Sequence, residues 1–171
     1  MASPAKLAHI VLRTGRLLEM LDWYVEVLDG RVAFVNNQLA FMTYDEEHHR
    51  VAFVGTGASE RPEDKHTGMH HAAFTYADLG DLLDTYQRLK AEGIRPFWTI
   101  NHGPTTSLYY ADPDGNNIEL QIDNFDTAEE LQTFFESGAF DANPIGVEFD
   151  PDELTARFQA GEPVSKLVKR A

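Results

Sequence analysis

Residues 6–30, "KLAHIVLRTGRLLEMLDWYVEVLDG", change their period halfway along. The first part, "KLAHIVLR", reads as a strand, whereas Leu17, Leu21, Tyr24, Val25 and Leu28 recur at helical spacing and mark one apolar stripe. Thr14 is placed to cap that helix and Gly30 to stop it. Three short strand candidates follow: "RVAFV" (31–35), "QLAFMTY" (38–44) and "HRVAFVG" (49–55). The order is βαβββ. Residues 56–67 are polar and turn-rich, as a linker would be. The order then recurs, with strand "HHAAFTY" (70–76) and helix "DLGDLLDTYQRLKAEG" (78–93). That helix turns Leu79, Leu82, Leu83, Tyr86 and Leu89 inward, and strands follow near "IRPFWTI", "TSLYYA" and "NNIELQI". An offset of 62 relates His9 to His71, Leu21 to Leu83, Asp22 to Asp84 and Tyr24 to Tyr86, so the chain carries one unit twice.

A βαβββ unit covers one face of its sheet with its helix and leaves the other bare. Two copies can close their bare faces around a shared hollow. The expected fold is therefore α+β: two tandem βαβββ modules form a half-open barrel around a metal site, followed by a C-terminal helical tail. Module one spans 6–55, the linker 56–67 and module two 68–125, within a domain of residues 1–125. Residues 126–171 form a helical extension with two or three short helices. One of these opens at "DPDELTARFQ", with Asp150 as cap and Pro151 in the first turn.

Composition narrows the function classes. A formal charge of −14 repels phosphate backbones and anionic lipid, which argues against nucleic acid and membrane surfaces as partners. The absence of cysteine excludes disulfides, thiolate metal sites and cysteine nucleophiles, so any metal must sit on histidine and carboxylate. No apolar run approaches the roughly 20 residues that span a bilayer, and "MASPAKLAHIVL" lacks the pattern of a signal peptide. A cytoplasmic protein is expected.

Alternation selects the candidate ligands. The repeat pairs "HIVL" (9–12) with "HAAF" (71–74), so His71 is the counterpart of His9, and His70 belongs to the opposite strand face. Ala8, Ile10 and Leu12 suit the helix side, which turns Leu7, His9 and Val11 to the hollow. On the last strand Ile118, Leu120 and Ile122 form an apolar face, which leaves Glu119 on the side of the histidines. A lone buried carboxylate is costly unless a cation compensates it. Two imidazoles and one carboxylate around a divalent metal leave positions open for substrate and dioxygen, as in non-haem Fe(II) oxygenases. Mn(II) or another divalent ion suits the same ligands.

The duplicated unit with "HIVL", "HHAAF" and "DPDGNNIELQ" resembles the vicinal oxygen chelate superfamily of glyoxalases, bleomycin-resistance proteins, epimerases and type I extradiol dioxygenases. "LAHIVL", "MHHAAF" and "NNIELQ" look like the metal-binding strands of one-domain extradiol dioxygenases acting on 2,3-dihydroxybiphenyl-like catechols. That resemblance implies Fe(II) ligation by His9, His71 and Glu119. "HHRVAF" looks like the strand of the catalytic histidine, which maps to His49. "NHGPTTSLYYADPDGN" looks like the segment supplying a second active-site histidine and a tyrosine, which map to His102 and Tyr109. The implied reaction is ring cleavage of an aromatic diol with dioxygen, by a protein that associates into a homo-oligomer. If alternation runs back through His49, Val51 and Phe53 share its inward face and wall the ring pocket, with Phe41, Phe97 and Trp98 as further lining candidates. An epimerase or thiol transferase would use the same ligands. A glyoxalase would want a fourth ligand where the repeat places Val51 or Ala52. A metal-free binder of aromatic drugs would have little use for the set.

Overall fold

The computed structural model describes residues 2–58, 60, 63 and 65–170. Residues 59, 61, 62 and 64 of the expected linker lie outside the described residues. The chain divides into two compact units, residues 1–68 with 112–116 and residues 69–111 with 117–171.

The first unit runs β1 (Ile10–Thr14), α1 (Leu17–Val27), β2 (Arg31–Val35), β3 (Leu39–Thr43) and β4 (Val51–Gly55). These strands form a four-stranded sheet of order β1-β4-β3-β2, with β1 parallel to β4 and the other pairs antiparallel. In α1 the buried stripe is Met20, Leu21, Tyr24 and Val27, rotated from the expected one, and Leu17 and Val25 are only half-buried. Thr14 does not cap α1: it ends β1, and its Oγ1 accepts from Arg16 N at 2.9 Å, two residues ahead of the helix. The helix stops through Asp29, whose φ is +48°, and not through a left-handed Gly30. Gly30 is needed for closeness instead, because a Cβ there would lie 2.4 Å from Met42 Cε and 2.9 Å from the Thr43 carbonyl oxygen.

The turn Asp112–Asn116 belongs to this first unit although its flanking strands belong to the second. The buried Asp112 accepts from Tyr24 Oη at 3.1 Å, from Asn116 Nδ2 and N, each at 2.8 Å, and from Asp114 N at 2.9 Å. Arg16 Nε pairs with Asp114 Oδ1 at 3.0 Å. Four donors on one carboxylate offset the desolvation that pushes its pKa up.

The second unit repeats the plan as β5 (His71–Thr75), α2 (Leu79–Ala91), β6 (Trp98–Asn101), β7 (Thr105–Ala111) and β8 (Asn117–Asp123). Here the helix buries Leu79, Leu82, Leu83, Tyr86 and Leu89 as its spacing requires, and the Asp78 side chain caps it by accepting from Asp81 N. The tail adds α3 (Ala128–Glu136), α4 (Ala139–Ala142), β9 (Val147–Glu148), α5 (Pro151–Gln159) and α6 (Val164–Leu167). Asp150 caps α5, with Pro151 in its first turn. The tail is not purely helical: β9 pairs with β6, extending the sheet to β5-β8-β7-β6-β9. The fold is thus α+β with two open sheets of βαβββ order and helices at the C-terminus. No helix among the described residues is long and apolar enough to cross a membrane.

Candidate active site

In the second unit, ladder register alone lines up a row of chemistry. Ala73 faces Glu119, Glu119 faces Tyr109 and Tyr109 faces Trp98, so these side chains share one sheet face. His71, two residues before Ala73, opens β5 on that same face. Their neighbours Leu108, Tyr110, Ile118 and Leu120 point the other way into the buried core. Glu119 is only 4% exposed, and its carboxylate lies 3.0 Å from His71 Nε2. Among the described residues it has no lysine or arginine partner. The Tyr109 ring meets that of His71 edge-on at 5.4 Å, and in register it faces Glu119. Burial, then the negative charge of Glu119, pushes the phenol pKa up, so Tyr109 keeps its proton at neutral pH. On its other side Tyr109 Oη is 3.1 Å from His102 Nε2.

In the first unit, His9 sits just before β1, its ring 4.2 Å from that of His49. His49 stacks on Phe41 at 4.6 Å, and Phe41 in turn meets Phe34 at 5.6 Å. Burial, then repulsion from His9 and His48, lowers the His49 pKa, which favours its neutral form. Val51 and Phe53 do not wall this group. Both are fully buried, they pair in register with Ile10 and Leu12, and Phe53 packs against Tyr24 of α1. Alternation fails here because β4 begins at Val51, so His49 stands outside the strand, between bends at residues 44–48 and at Arg50. The Arg50 side chain is occupied by Asp45 and by the Leu7 and Ala8 carbonyls.

The expected separation of His70 from His71 also fails. His70 precedes β5, free of strand alternation, and its Nδ1 stands 2.7 Å from His71 Nδ1. His48 and His49 make the same contact at 2.6 Å. Two lone pairs cannot face each other at such distances, so one nitrogen of each pair carries a proton and donates.

The six nominated residues thus fall into two groups: His71, Glu119, Tyr109 and His102 in one unit, His9 and His49 in the other. Among the described residues no three histidine, aspartate or glutamate side chains form a cluster able to hold a metal ion. His71 and Glu119 nonetheless fit two ligands of one divalent ion: a buried carboxylate that needs positive charge, beside an imidazole nitrogen. Ligands held about 2.1 Å from one ion at a right angle would stand about 3.0 Å apart. Sequence reading named Trp98 as a lining candidate but missed the partners that hold this face. Trp98 packs 4.9 Å from Tyr109, and its Nε1 donates to Glu148 Oε1 at 2.8 Å. His102 Nδ1 meets the Ile145 carbonyl. Partners 43 and 50 residues away leave no periodic trace in the chain.

The model of the Glyoxalase/Bleomycin resistance protein/Dioxygenase superfamily matches residues 6–120. The chain is 48% identical over 172 residues to biphenyl-2,3-diol 1,2-dioxygenase 2 of Rhodococcus globerulus, covering 100% of this chain and 90% of that one. It is 46% identical to biphenyl-2,3-diol 1,2-dioxygenase 3 of the same organism, over 97% of this chain and 88% of the relative. Among solved structures, a glyoxylase/bleomycin resistance protein/dioxygenase domain from Frankia sp. EAN1pec superposes with a TM-score of 0.60 at 18% identity, covering 75% of this chain and 99% of that one.

Proposed function

The chain belongs to the glyoxalase/bleomycin resistance protein/dioxygenase superfamily, and from that membership we propose that it is an extradiol ring-cleaving dioxygenase acting on a catechol of the 2,3-dihydroxybiphenyl type. The observation that carries this reading is the 48% identity to a biphenyl-2,3-diol 1,2-dioxygenase along the whole chain. The partners are then a small aromatic diol and dioxygen.

The residues fit a metal-assisted oxidation. His71 and Glu119, with His9, would hold Fe(II) or another divalent ion. When bound, such an ion supplies a Lewis acid for the diol oxygens and a site for dioxygen. His49, neutral through its lowered pKa, is suited to take a proton from the diol and return it later. Its stacking on Phe41 fixes the ring plane. Tyr109 keeps its proton and so can act as a hydrogen-bond donor, with His102 Nε2 at 3.1 Å as the acceptor. Trp98 beside it offers an aromatic surface to the substrate and keeps water away.

Anaerobically iron-loaded protein should consume oxygen with 2,3-dihydroxybiphenyl and form a yellow ring-opened product. No oxygen uptake with that diol or a wider catechol panel, from protein that has bound iron, would refute the reading. Proton exchange at carbon in deuterated water without oxygen uptake would point to an epimerase instead.

A further inference from the structure

His102 lies just past the end of β6, on a turn held from both sides by the tail. Its Nδ1 meets the Ile145 carbonyl, and its own carbonyl accepts from Arg170 Nη1 at 2.9 Å. The same guanidinium donates to the Asn143 carbonyl at 2.8 Å and to the Ala139 carbonyl, with the Phe134 ring 5.3 Å from its carbon. One side chain therefore bridges the two backbone segments whose approach makes the His102–Ile145 contact.

The neighbourhood is built for that approach. Asn143 closes the following turn, accepting from Gly146 N at 2.9 Å and donating to the Gly146 carbonyl at 2.7 Å. Gly146 has φ +120°, and a Cβ there would lie 2.3 Å from the Asn101 carbonyl oxygen. Asn101 Nδ2 donates to the Val168 carbonyl at 2.8 Å, a second tie between the tail and this turn.

We infer that Arg170 is a positioning residue for His102: by locking the 139–146 segment against the turn after β6, it sets which imidazole nitrogen carries the proton. A carbonyl oxygen only accepts, so Nδ1 must be the protonated nitrogen whenever it bonds to Ile145. In the neutral ring Nε2 is then bare and faces Tyr109 Oη, whose hydrogen it accepts. Without the clamp either nitrogen could carry the proton, and the ring could then turn a donor to the phenol. The link to turnover rests on the dioxygenase reading, whereas the tautomer belongs to the metal-free chain.

The test is histidine nitrogen NMR on metal-free protein at about pH 8, where an ordinary imidazole is neutral. Wild-type His102 should show Nδ1 protonated and Nε2 unprotonated. Arg170→Ala should convert this to a mixture of tautomers. Arg170→Lys should restore it in part, because an ammonium supplies the charge but not the planar fork. In the iron-loaded enzyme, kcat of Arg170→Ala should fall about tenfold with KM little changed. A wild-type His102 protonated at Nε2, or already a mixture, overturns the inference, as does a tautomer that Arg170→Ala leaves unchanged. If Arg170→Ala does not fold, the wild-type spectrum and Arg170→Lys decide it. A clamp-dependent tautomer in a protein that never consumes oxygen would sink the dioxygenase reading and leave this one standing.

Discussion

The two units share a frame and differ at one slot of it. In each, a histidine introduces a strand that pairs in parallel with the last strand of its module. Two residues after His9, Val11 faces Ala52; two residues after His71, Ala73 faces Glu119. The same register position thus holds a methyl group in the first unit and a buried carboxylate in the second. The units also differ at the opposite sheet edge. All five residues of β2 are exposed, whereas β6 is covered by β9. The repeated scaffold thus carries different residues in a fixed register: one copy is acidic at this slot and covered at its edge, the other apolar and bare.

Removing the asymmetric donor should have the largest effect. Glu119→Gln and His71→Ala should each weaken Fe(II) binding by more than about 100-fold in anaerobic titration, while His70→Ala stays within about tenfold. The reverse order for the two histidines would break the assignment of the site face. Copying the acid into the other unit should be costly as well. Ala52→Glu places a carboxylate at a buried slot and should lower stability by about 3 kcal/mol in urea unfolding. A neutral result would mean that the first unit already offers a compensating charge.

Gly103 sharpens the contrast at the tail. Its φ is +100°, and a Cβ would lie 2.3 Å from Phe134 Cζ, so Gly103→Ala should cost about 2 kcal/mol in thermal unfolding. A smaller term resides in the loop before His49. The Arg50 hydrogen bonds hold the Asp45 carboxyl at a pKa of about 2, below the ordinary aspartate value of 3.8. Folding therefore gains from Asp45 above pH 3.8 and loses that gain as pH falls toward 2. Asp45 is more than a third exposed, so solvent limits the effect to under about 1 kcal/mol, and Asp45→Asn should flatten the acid limb by that amount. Least of all, Phe34→Lys on the bare β2 edge should change stability by no more than about 0.5 kcal/mol.

Legibility in the sequence followed local regularity. The buried stripe of α2 was readable to the residue because its leucines keep a helical period, and the helix itself, Leu79–Ala91, lies within the expected 78–93. Helix α1 was readable as a helix and its stripe in part: Leu21, Tyr24 and Leu28 are buried as expected, but apolar residues nearly surround it and only packing selects Met20 and Val27 over Leu17 and Val25. Glu119 could be placed opposite its apolar neighbours since β8 alternates along seven residues. His49 and His70 could not, because each stands outside its strand, where side-chain direction no longer follows from parity. Strand β9, two residues long, is too short to show any period. The supports of His102 are a carbonyl and a remote guanidinium, and neither leaves a local pattern.

The hydrogen bond from Tyr24 to Asp112 joins residues 88 apart, and both ends are buried. The first unit is therefore completed from a distance: its helix meets a turn made by the second half of the chain. Such distant closure slows folding more than it limits final stability. A fragment ending in the linker would lack the acceptor that the Tyr24 hydroxyl meets, so it should be less stable than the same unit within the whole chain.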